Sequence, residues 1–464
     1  MSDILTELKG RVPAEIMRPP LPHYLEEPRG RWRGQAAAIL APTTTAEVAE
    51  ILRACSKTGT PVVPFGGGTG LVGGQLLPNG TAPVVLSLER MNDIGPVDAE
   101  GQSVTVGAGA ILADVHAAAE ARGLVFPLTL ASQGSARIGG LLATNAGGVG
   151  VIRYGNARDL CLGLEAVLPD GQVMAGLKAL RKDNTGYDLR HLLIGAEGTL
   201  GVITQAVLRL YPQPKDRAVA LFVVPDPTAA LRLLRMSQAQ IGPGLSAFEL
   251  ISGQGLDFLV ETGIDSRAPF APRPDWMCLI DVGLAQAQPV LETLFEAAQG
   301  ASLTTDGVVS QSEAQRQAIW DLRERLPEAN RKIGAISSHD ISVPVAAIPD
   351  FIAQGPGVIG ALGTFRINCF GHLGDGNLHY NVFPIPGETR ADHADKRDAI
   401  KRAVHNLVDA FGGSVSAEHG IGRLKVNDLE RYGDPGKLAA MRAIKAALDP
   451  KGIMNPGAVL RPRP

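Results

Sequence analysis

Four residues in the last hundred positions carry side chains suited to holding a metal ion and moving a proton: His372, His379, Glu418 and His419. His372 and His379 lie seven apart in CFGHLGDGNLHYNV (369–382), around a glycine-containing turn that can bring both imidazoles to one point. On a continuous strand that spacing would set them on opposite faces. The LHYNV stretch reads as strand, with His379 and Asn381 on one face and Tyr380 on the other. Glu418 and His419 follow in SAEHGIG (416–422). Two imidazoles and a carboxylate make a three-ligand set with one position open, as at a catalytic zinc or similar divalent ion. The spacing is neither a zinc-finger pattern nor H-E-x-x-H, so each histidine taken singly also fits a core or surface role. Asp375, inside the turn, suits turn capping.

A second chemical signal is glycine, 55 residues of it, concentrated before residue 203. The main clusters are PFGGGTGLVGG (64–74), GSARIGGLLATNAGGVG (134–150) and GAEGTLG (195–201). Residues 68–73 satisfy G-x-G-x-x-G, the fingerprint of dinucleotide-binding Rossmann units. Such a unit needs a helix directly after the loop, and Pro78, Gly80 and Pro83 cannot supply one. The pattern fits instead a nest of successive backbone amides that cradles phosphate without a helix. Gly66, Gly67, Gly68, Gly70, Gly73 and Gly74 lack the Cβ atoms that would block such an approach.

The elements that must position these groups can be sketched from periodicity. TPVVPF, APVVLSLE, SVTVGAGA and LGLEAVLPDG are short strand signals bounded by turn residues. TTAEVAEILRACSKTG and ILADVHAAAEARG have helical spacing, and the first has a threonine N-cap and a closing glycine. Together they predict an N-terminal segment (1–35) and an α+β domain over 36–212, ended by the proline-marked YPQPKD (211–216). Over 213–412 strands such as RAVALFVV and WMCLIDVG alternate with helices such as DPTAALRLLRMSQAQ, which predicts a sheet with helices on one face. Residues 413–464 read as a loop, a helix and a proline-rich tail.

Bulk properties narrow the class. A formal charge of -3 with no clustered basic excess leaves no footprint for nucleic acid. Cys55, Cys161, Cys278 and Cys369 are scattered, which excludes Cys-x-x-Cys ribbons and clustered iron–sulfur ligands. Reduced thiols, the lack of an apolar leader at the N-terminus and the lack of an 18-residue apolar run predict a cytoplasmic protein without a transmembrane segment.

In order along the chain stand PFGGGTGLVGG, GSARIGGLLATNAGG, VLPDGQV, RKDNTGYDLRHLLIGAEGTLGVIT, GHLGDGNLHYNV and SAEHGIG. With these the chain resembles the FAD-dependent D-2-hydroxyacid dehydrogenases of the vanillyl-alcohol-oxidase flavoprotein superfamily, in particular the D-2-hydroxyglutarate dehydrogenases. The resemblance implies an α+β fold: a two-part PCMH-type FAD-binding domain, a ferredoxin-like substrate or cap domain, and a C-terminal helical segment returning to the flavin. It implies that Pro64, Gly66, Gly67, Gly68, Thr69, Gly70, Leu71, Gly73 and Gly74 wrap the FAD pyrophosphate. Pro127, Thr129, Ser132, Gly139, Thr144, Asn145, Ala146 and Gly147 would line the flavin. Glu197, Gly198, Gly201 and Ile203 would flank the adenosine, with Asn455 a further contact to the cofactor. No histidine lies in the pyrophosphate loop, so FAD is expected to be non-covalent; His116 sits in a helical pattern and reads as core or surface.

By the same resemblance His372, His379 and Glu418 are ligands to a divalent metal, zinc first with manganese or cobalt as alternatives. The metal orients the substrate, His419 is the general base, and a hydride passes from C2 of a D-2-hydroxy acid to flavin N5. Arg323, in IWDLRERLPEAN, resembles the family's clamp on the substrate carboxylate, and Asn381 and His419 would also touch substrate. Hydroxyglutarate dehydrogenases carry a threonine four positions after that arginine and a lysine two before the aspartate of D-x-S-x-P. Pro327 and Ser338 stand there in this chain, so two polar partners of a second carboxylate are missing. His339 is a candidate replacement. D-2-hydroxyglutarate, D-lactate and other small or apolar D-2-hydroxy acids all remain candidate substrates. The expected electron acceptor is a separate electron-transfer flavoprotein, quinone or cytochrome; an oxidase using oxygen and a non-catalytic FAD-binding subunit are the alternatives. A homodimer is allowed.

Overall fold

The computed structural model describes residues 2–264 and 269–461. They form two compact units: Met1–Gly148, Gly155–Gln213 and Glu418–Pro464 make the first, and Val149–Tyr154 with Pro214–Ala417 make the second. The N-terminal residues pack into the first unit, where Ile4, Leu8 and Ile16 are buried.

In the first unit one sheet has the order β1 (Met17–Arg18), β2 (Ala38–Leu40), β4 (Val84–Ser87), β3 (Val62–Phe65). Strands β2, β4 and β3 are parallel neighbours, so β3 delivers its C-terminal end into the 64–74 glycine loop. The crossover from β2 to β3 is the helix Thr45–Thr58. Thr44 and Glu47 close its start as a reciprocal capping box, and Gly59 ends it in the left-handed conformation. No helix follows Gly73; residues 74–83 are irregular, as the prolines require. The second sheet is antiparallel, ordered β5 (Ser103–Gly107), β8 (Val202–Arg209), β6 (Cys161–Val167), β7 (Val173–Gly176).

The second unit is built on one seven-stranded antiparallel sheet. Its strands are β9 (Arg217–Val224), β10 (Leu245–Ser252), β11 (Trp276–Gly283), β12 (Asp306–Val309), β13 (Ser337–Ser342), β14 (Arg366–His372) and β15 (Asn377–Phe383). Their spatial order is β12-β9-β11-β10-β14-β15-β13. Here the expectation of helices on one face is corrected. Val219 and Leu221 of β9 cluster with Trp320, Leu322, Leu326 and Ala329 from the helices Glu313–Glu324 and Leu326–Ile333. Phe222, of the opposite parity, packs on Phe295 from the helix Ala287–Gly300 with ring centroids 5.0 Å apart. Helices therefore cover both faces, which is why RAVALFVV is apolar at odd and even positions alike.

Candidate active site

In the first unit a cleft opens between the glycine loops. From the first loop Pro64, Gly66, Gly67, Gly68, Thr69, Gly70 and Gly74 line it. Gly139 and Thr144 line it from the second loop, and Glu197, Gly198, Gly201 and Ile203 from the third. His419 also lines this cleft, so the chain's return after residue 418 sets an imidazole among the same loops.

The loops fit a cofactor bearing a pyrophosphate. Among the described residues, no protein oxygen accepts a hydrogen bond from the backbone amides of residues 66–75. A run of such donors is an anion nest. The loop is held open by its own carbonyls: Gln75 Nε2 donates to Gly70 O at 2.8 Å and to Gly68 O at 3.3 Å. Its close approach to the second loop depends on missing side chains, since a Cβ on Gly67 would lie 2.2 Å from Ser135 O.

A clasp ties the His419 turn to the first loop. Arg423 donates to Gly73 O (3.0 Å), Gly74 O (3.2 Å), Asn455 Oδ1 (2.8 Å) and Pro456 O (3.0 Å). The Glu197 carboxylate accepts from the amides of Ile421 and Gly422, each at 2.8 Å. Burial raises its carboxyl above the usual range, against the pull of those two amides. Burial also pushes Arg423 down to about 10. Glu197 and Asn455 hold φ of 50° and 42°, a strained backbone for non-glycine residues that these contacts sustain.

Several residues expected at the cofactor do not line the cleft. Gly73 makes room for the Trp32 ring, 2.3 Å from where its Cβ would sit. Asn145 spends its Oδ1 on the Arg158 amide at 3.0 Å. Asn455 donates instead to Gly74 O and Glu197 O, both at 2.9 Å, bracing the loops from behind. Ser132 offers its carbonyl to the Ser135 and Ala136 amides at 2.9 and 2.8 Å, closing a turn. Thr129 packs its carbonyl against Gly148, where a Cβ would stand only 2.2 Å away. Ala146 is tied by its amide to Leu141 O at 2.8 Å, and Leu71, Pro127 and Gly147 also lie off the lining. His116 bonds Leu128 O through Nε2 at 2.9 Å, and burial lowers its proton affinity.

The second unit brings His372 and His379 together. Strands β14 and β15 form a hairpin in which Phe370 stands opposite His379. His372, two residues on, is then its diagonal neighbour on the same face, and the two rings lie 5.8 Å apart. The turn needs Gly371, at φ 151°, because a Cβ there would lie 2.6 Å from Asn377 O. Asp375 accepts from the Asn377 amide at 3.1 Å, and burial pushes its carboxyl up to about 6.

On the same face, Glu249 of β10 stands directly opposite His372. It is fully buried; one carboxylate oxygen meets His372 Nδ1 and the other accepts from Arg323 Nε at 2.6 Å. Burial opposes its ionisation, yet His372 and Arg323 beside it hold its carboxyl down to about 2. The Arg323 guanidinium also lies over the Phe370 ring, 4.7 Å from its centroid. Arg323 is thus no solvated helix arginine, and among the described residues its terminal nitrogens have no protein acceptor. Asn381 accepts from the His339 amide at 3.1 Å. Ser338 stands opposite Asn381 on the site face and is exposed. His339 is corrected as a substrate group: it stands opposite Tyr380 on the other face, its ring 5.2 Å from His405. Glu418 directly follows Ala417, whose amide donates at 3.3 Å to Asp340 O, and Asp340 stands opposite His379.

Residues 213–459 match the family model for FAD linked oxidases, C-terminal domain, and residues 36–175 match the FAD binding domain model. The chain belongs to the FAD-linked oxidase family. It is 38% identical over 440 residues to a D-2-hydroxyglutarate dehydrogenase of Xanthomonas citri pv. viticola, covering 94% of this chain and 92% of that one. Identity to the mitochondrial D-2-hydroxyglutarate dehydrogenase of Bos taurus is 37% over 464 residues, covering 98% and 82%. In fold it matches p-cresol methylhydroxylase with substrate bound (TM-score 0.76, 15% identity, 99% and 96% covered). It likewise matches alkyldihydroxyacetonephosphate synthase (TM-score 0.72, 17% identity, 98% and 86% covered). As a member of this family the protein is an FAD-dependent dehydrogenase. No helix among the described residues is long and apolar enough to cross a membrane.

Sequence reasoning missed Glu249, Arg423 and Gln75. A lone acid inside the apolar strand AFELIS was the visible sign of Glu249; the other two lie in loops and left no periodic trace.

Proposed function

We propose that the protein oxidises a D-2-hydroxy acid to the 2-oxo acid, with non-covalent FAD and a divalent cation held by His372, His379 and Glu418. The carrying observation is His419, an imidazole lining the same cleft as the family's FAD loops. The substrate class is supported by the relatives named D-2-hydroxyglutarate dehydrogenases. The cation is supported by the paired imidazoles on one sheet face and by the chain's course through Ala417 to Glu418. A nitrogen, nitrogen, oxygen donor set suits zinc, and manganese or cobalt less closely.

FAD bound in the cleft supplies the two-electron acceptor. Held by His372, His379 and Glu418, a divalent cation would supply positive charge that favours ionisation of the substrate hydroxyl. His419 takes the hydroxyl proton on a ring nitrogen. Arg323 receives the C1 carboxylate on its terminal nitrogens, and Asn381 offers Nδ2 to the substrate. The electrons then leave for a separate acceptor.

A substrate with one carboxylate, such as D-lactate or an apolar homologue, is the second reading. It is favoured by Pro327 and by exposed Ser338 on the site face, neither of which can bind a second acid by charge. Losing one charge-assisted partner costs about 1.5–3 kcal/mol, roughly tenfold to hundredfold in binding. Ranking D-2-hydroxy acids by kcat/KM with an artificial dye, with and without a strong chelator, tests both readings. Turnover of D- but not L-acids, lost on chelation and restored by zinc, manganese or cobalt, is expected. Full activity in metal-free protein removes the cation from the proposal, and hydrogen peroxide formation identifies an oxidase instead.

A further inference from the structure

The strongest unused feature of the second unit is a carboxylate with no contact to solvent. Glu249 is the one charged residue of β10 and is 0% exposed. A buried carboxylate is costly unless both its oxygens are satisfied. Both are: one by His372 Nδ1 and the other by Arg323 Nε. An ionised carboxylate only accepts hydrogen bonds, so the His372 ring must carry its proton on Nδ1. In the neutral ring the unprotonated nitrogen, the donor atom a cation requires, is then Nε2. Arg323 is fixed in the same way, by its Nε on Glu249 and its plane on Phe370. Because the guanidinium is rigid and planar, these two contacts set the direction of both terminal nitrogens.

We propose that Glu249 is a positioning residue shared by two functions: it fixes the His372 tautomer that presents Nε2 to a cation, and it aims the terminal nitrogens of Arg323 at the substrate carboxylate. This rests on the reading that His372 holds a cation and Arg323 a carboxylate. A merely structural ion pair would stabilise the sheet and leave the tautomer, cation affinity and KM untouched by its exact partners.

Two measurements test it. In metal-free wild-type protein with ¹⁵N-labelled histidine, long-range ¹⁵N–¹H correlations, assigned through His372→Gln, are expected to show the Nδ1–H tautomer. An Nε2–H tautomer for His372 overturns the proposal, whatever becomes of any Glu249 variant. In flavin-loaded protein titrated with Co²⁺, Glu249→Gln is expected to bind the ion about 10- to 100-fold more weakly. Its KM for a D-2-hydroxy acid should rise about tenfold or more, by a larger factor than kcat falls. Arg323→Gln should raise KM similarly while leaving Co²⁺ affinity within about threefold. Wild-type protein that takes up no Co²⁺ sinks the underlying reading and this inference together. Co²⁺ binding that is lost in His372→Gln but unchanged in Glu249→Gln sinks this inference alone.

Discussion

Adding one methyl group at Gly67 should separate FAD binding from folding. Its Cβ would sit 2.2 Å from Ser135 O and 3.1 Å from Ala136 Cα, both backbone atoms of the second glycine loop. Neither can rotate away, so the two loops must part by about 1 Å. Overpacking of this kind costs about 1–3 kcal/mol. The strained loops are cleft walls, so the strain falls on FAD affinity, roughly tenfold to hundredfold at 1.4 kcal/mol per factor of ten. Gly134, in the second loop, provides the control: its Cβ would meet nothing within 4 Å, and its φ is not left-handed. Gly134→Ala should bind FAD as wild type does and be neutral or slightly stabilising, by up to about 1 kcal/mol. Flavin fluorescence on titrating apoprotein measures both affinities, and thermal unfolding of the apoproteins checks that each variant folds. Equal FAD affinity in Gly67→Ala and wild type would refute the reasoning, as would equal damage from both alanines.

Arg423→Met removes the donor to Gly73 O, Gly74 O, Asn455 and Pro456, so FAD affinity should fall at least tenfold, at about 1–3 kcal/mol per stranded group. Cofactor retained through gel filtration, with no new proteolytic cut near residue 420, would count against the clasp. His116 has its proton affinity lowered mainly by burial, so the folded state resists protonation. Its contribution to stability is therefore present above the unfolded value of about 6.5 and is lost as pH falls below it. His116→Gln, which can still donate to Leu128 O, should lose less stability than wild type between about pH 7.5 and 5 in urea unfolding. An identical loss in both proteins would show that this ring does not titrate with folding.

Much of this architecture was legible locally. A threonine N-cap and a closing glycine announced the helix over Thr45–Thr58, and Pro78 and Pro83 ruled out the helix that a Rossmann loop needs. The hairpin meeting of His372 and His379 followed from a glycine turn beside a strand pattern. What stayed hidden joins residues distant in sequence. Glu249 and His372 are separated by 123 positions, and Arg423 and Gly73 by 350, and no local periodicity encodes such pairs. The face of His339 stayed open because strand alternation fixes faces only once the register with Tyr380 is known. The two-sided helix cover was readable in RAVALFVV, whose apolar run lacks the alternation of a half-exposed strand.

In the proposed reaction a D-2-hydroxy acid gives its electrons directly to FAD, with His419 taking the proton. Anaerobic mixing of the flavin-loaded protein with D-2-hydroxyglutarate or D-lactate, followed by the flavin's visible absorbance, tests it in a single turnover. Complete bleaching by at least one D-acid is expected, with none by its L-enantiomer and none in His419→Asn although that variant keeps its FAD. A flavin that stays oxidised with every D-2-hydroxy acid, or bleaches as fast in His419→Asn as in wild type, contradicts it.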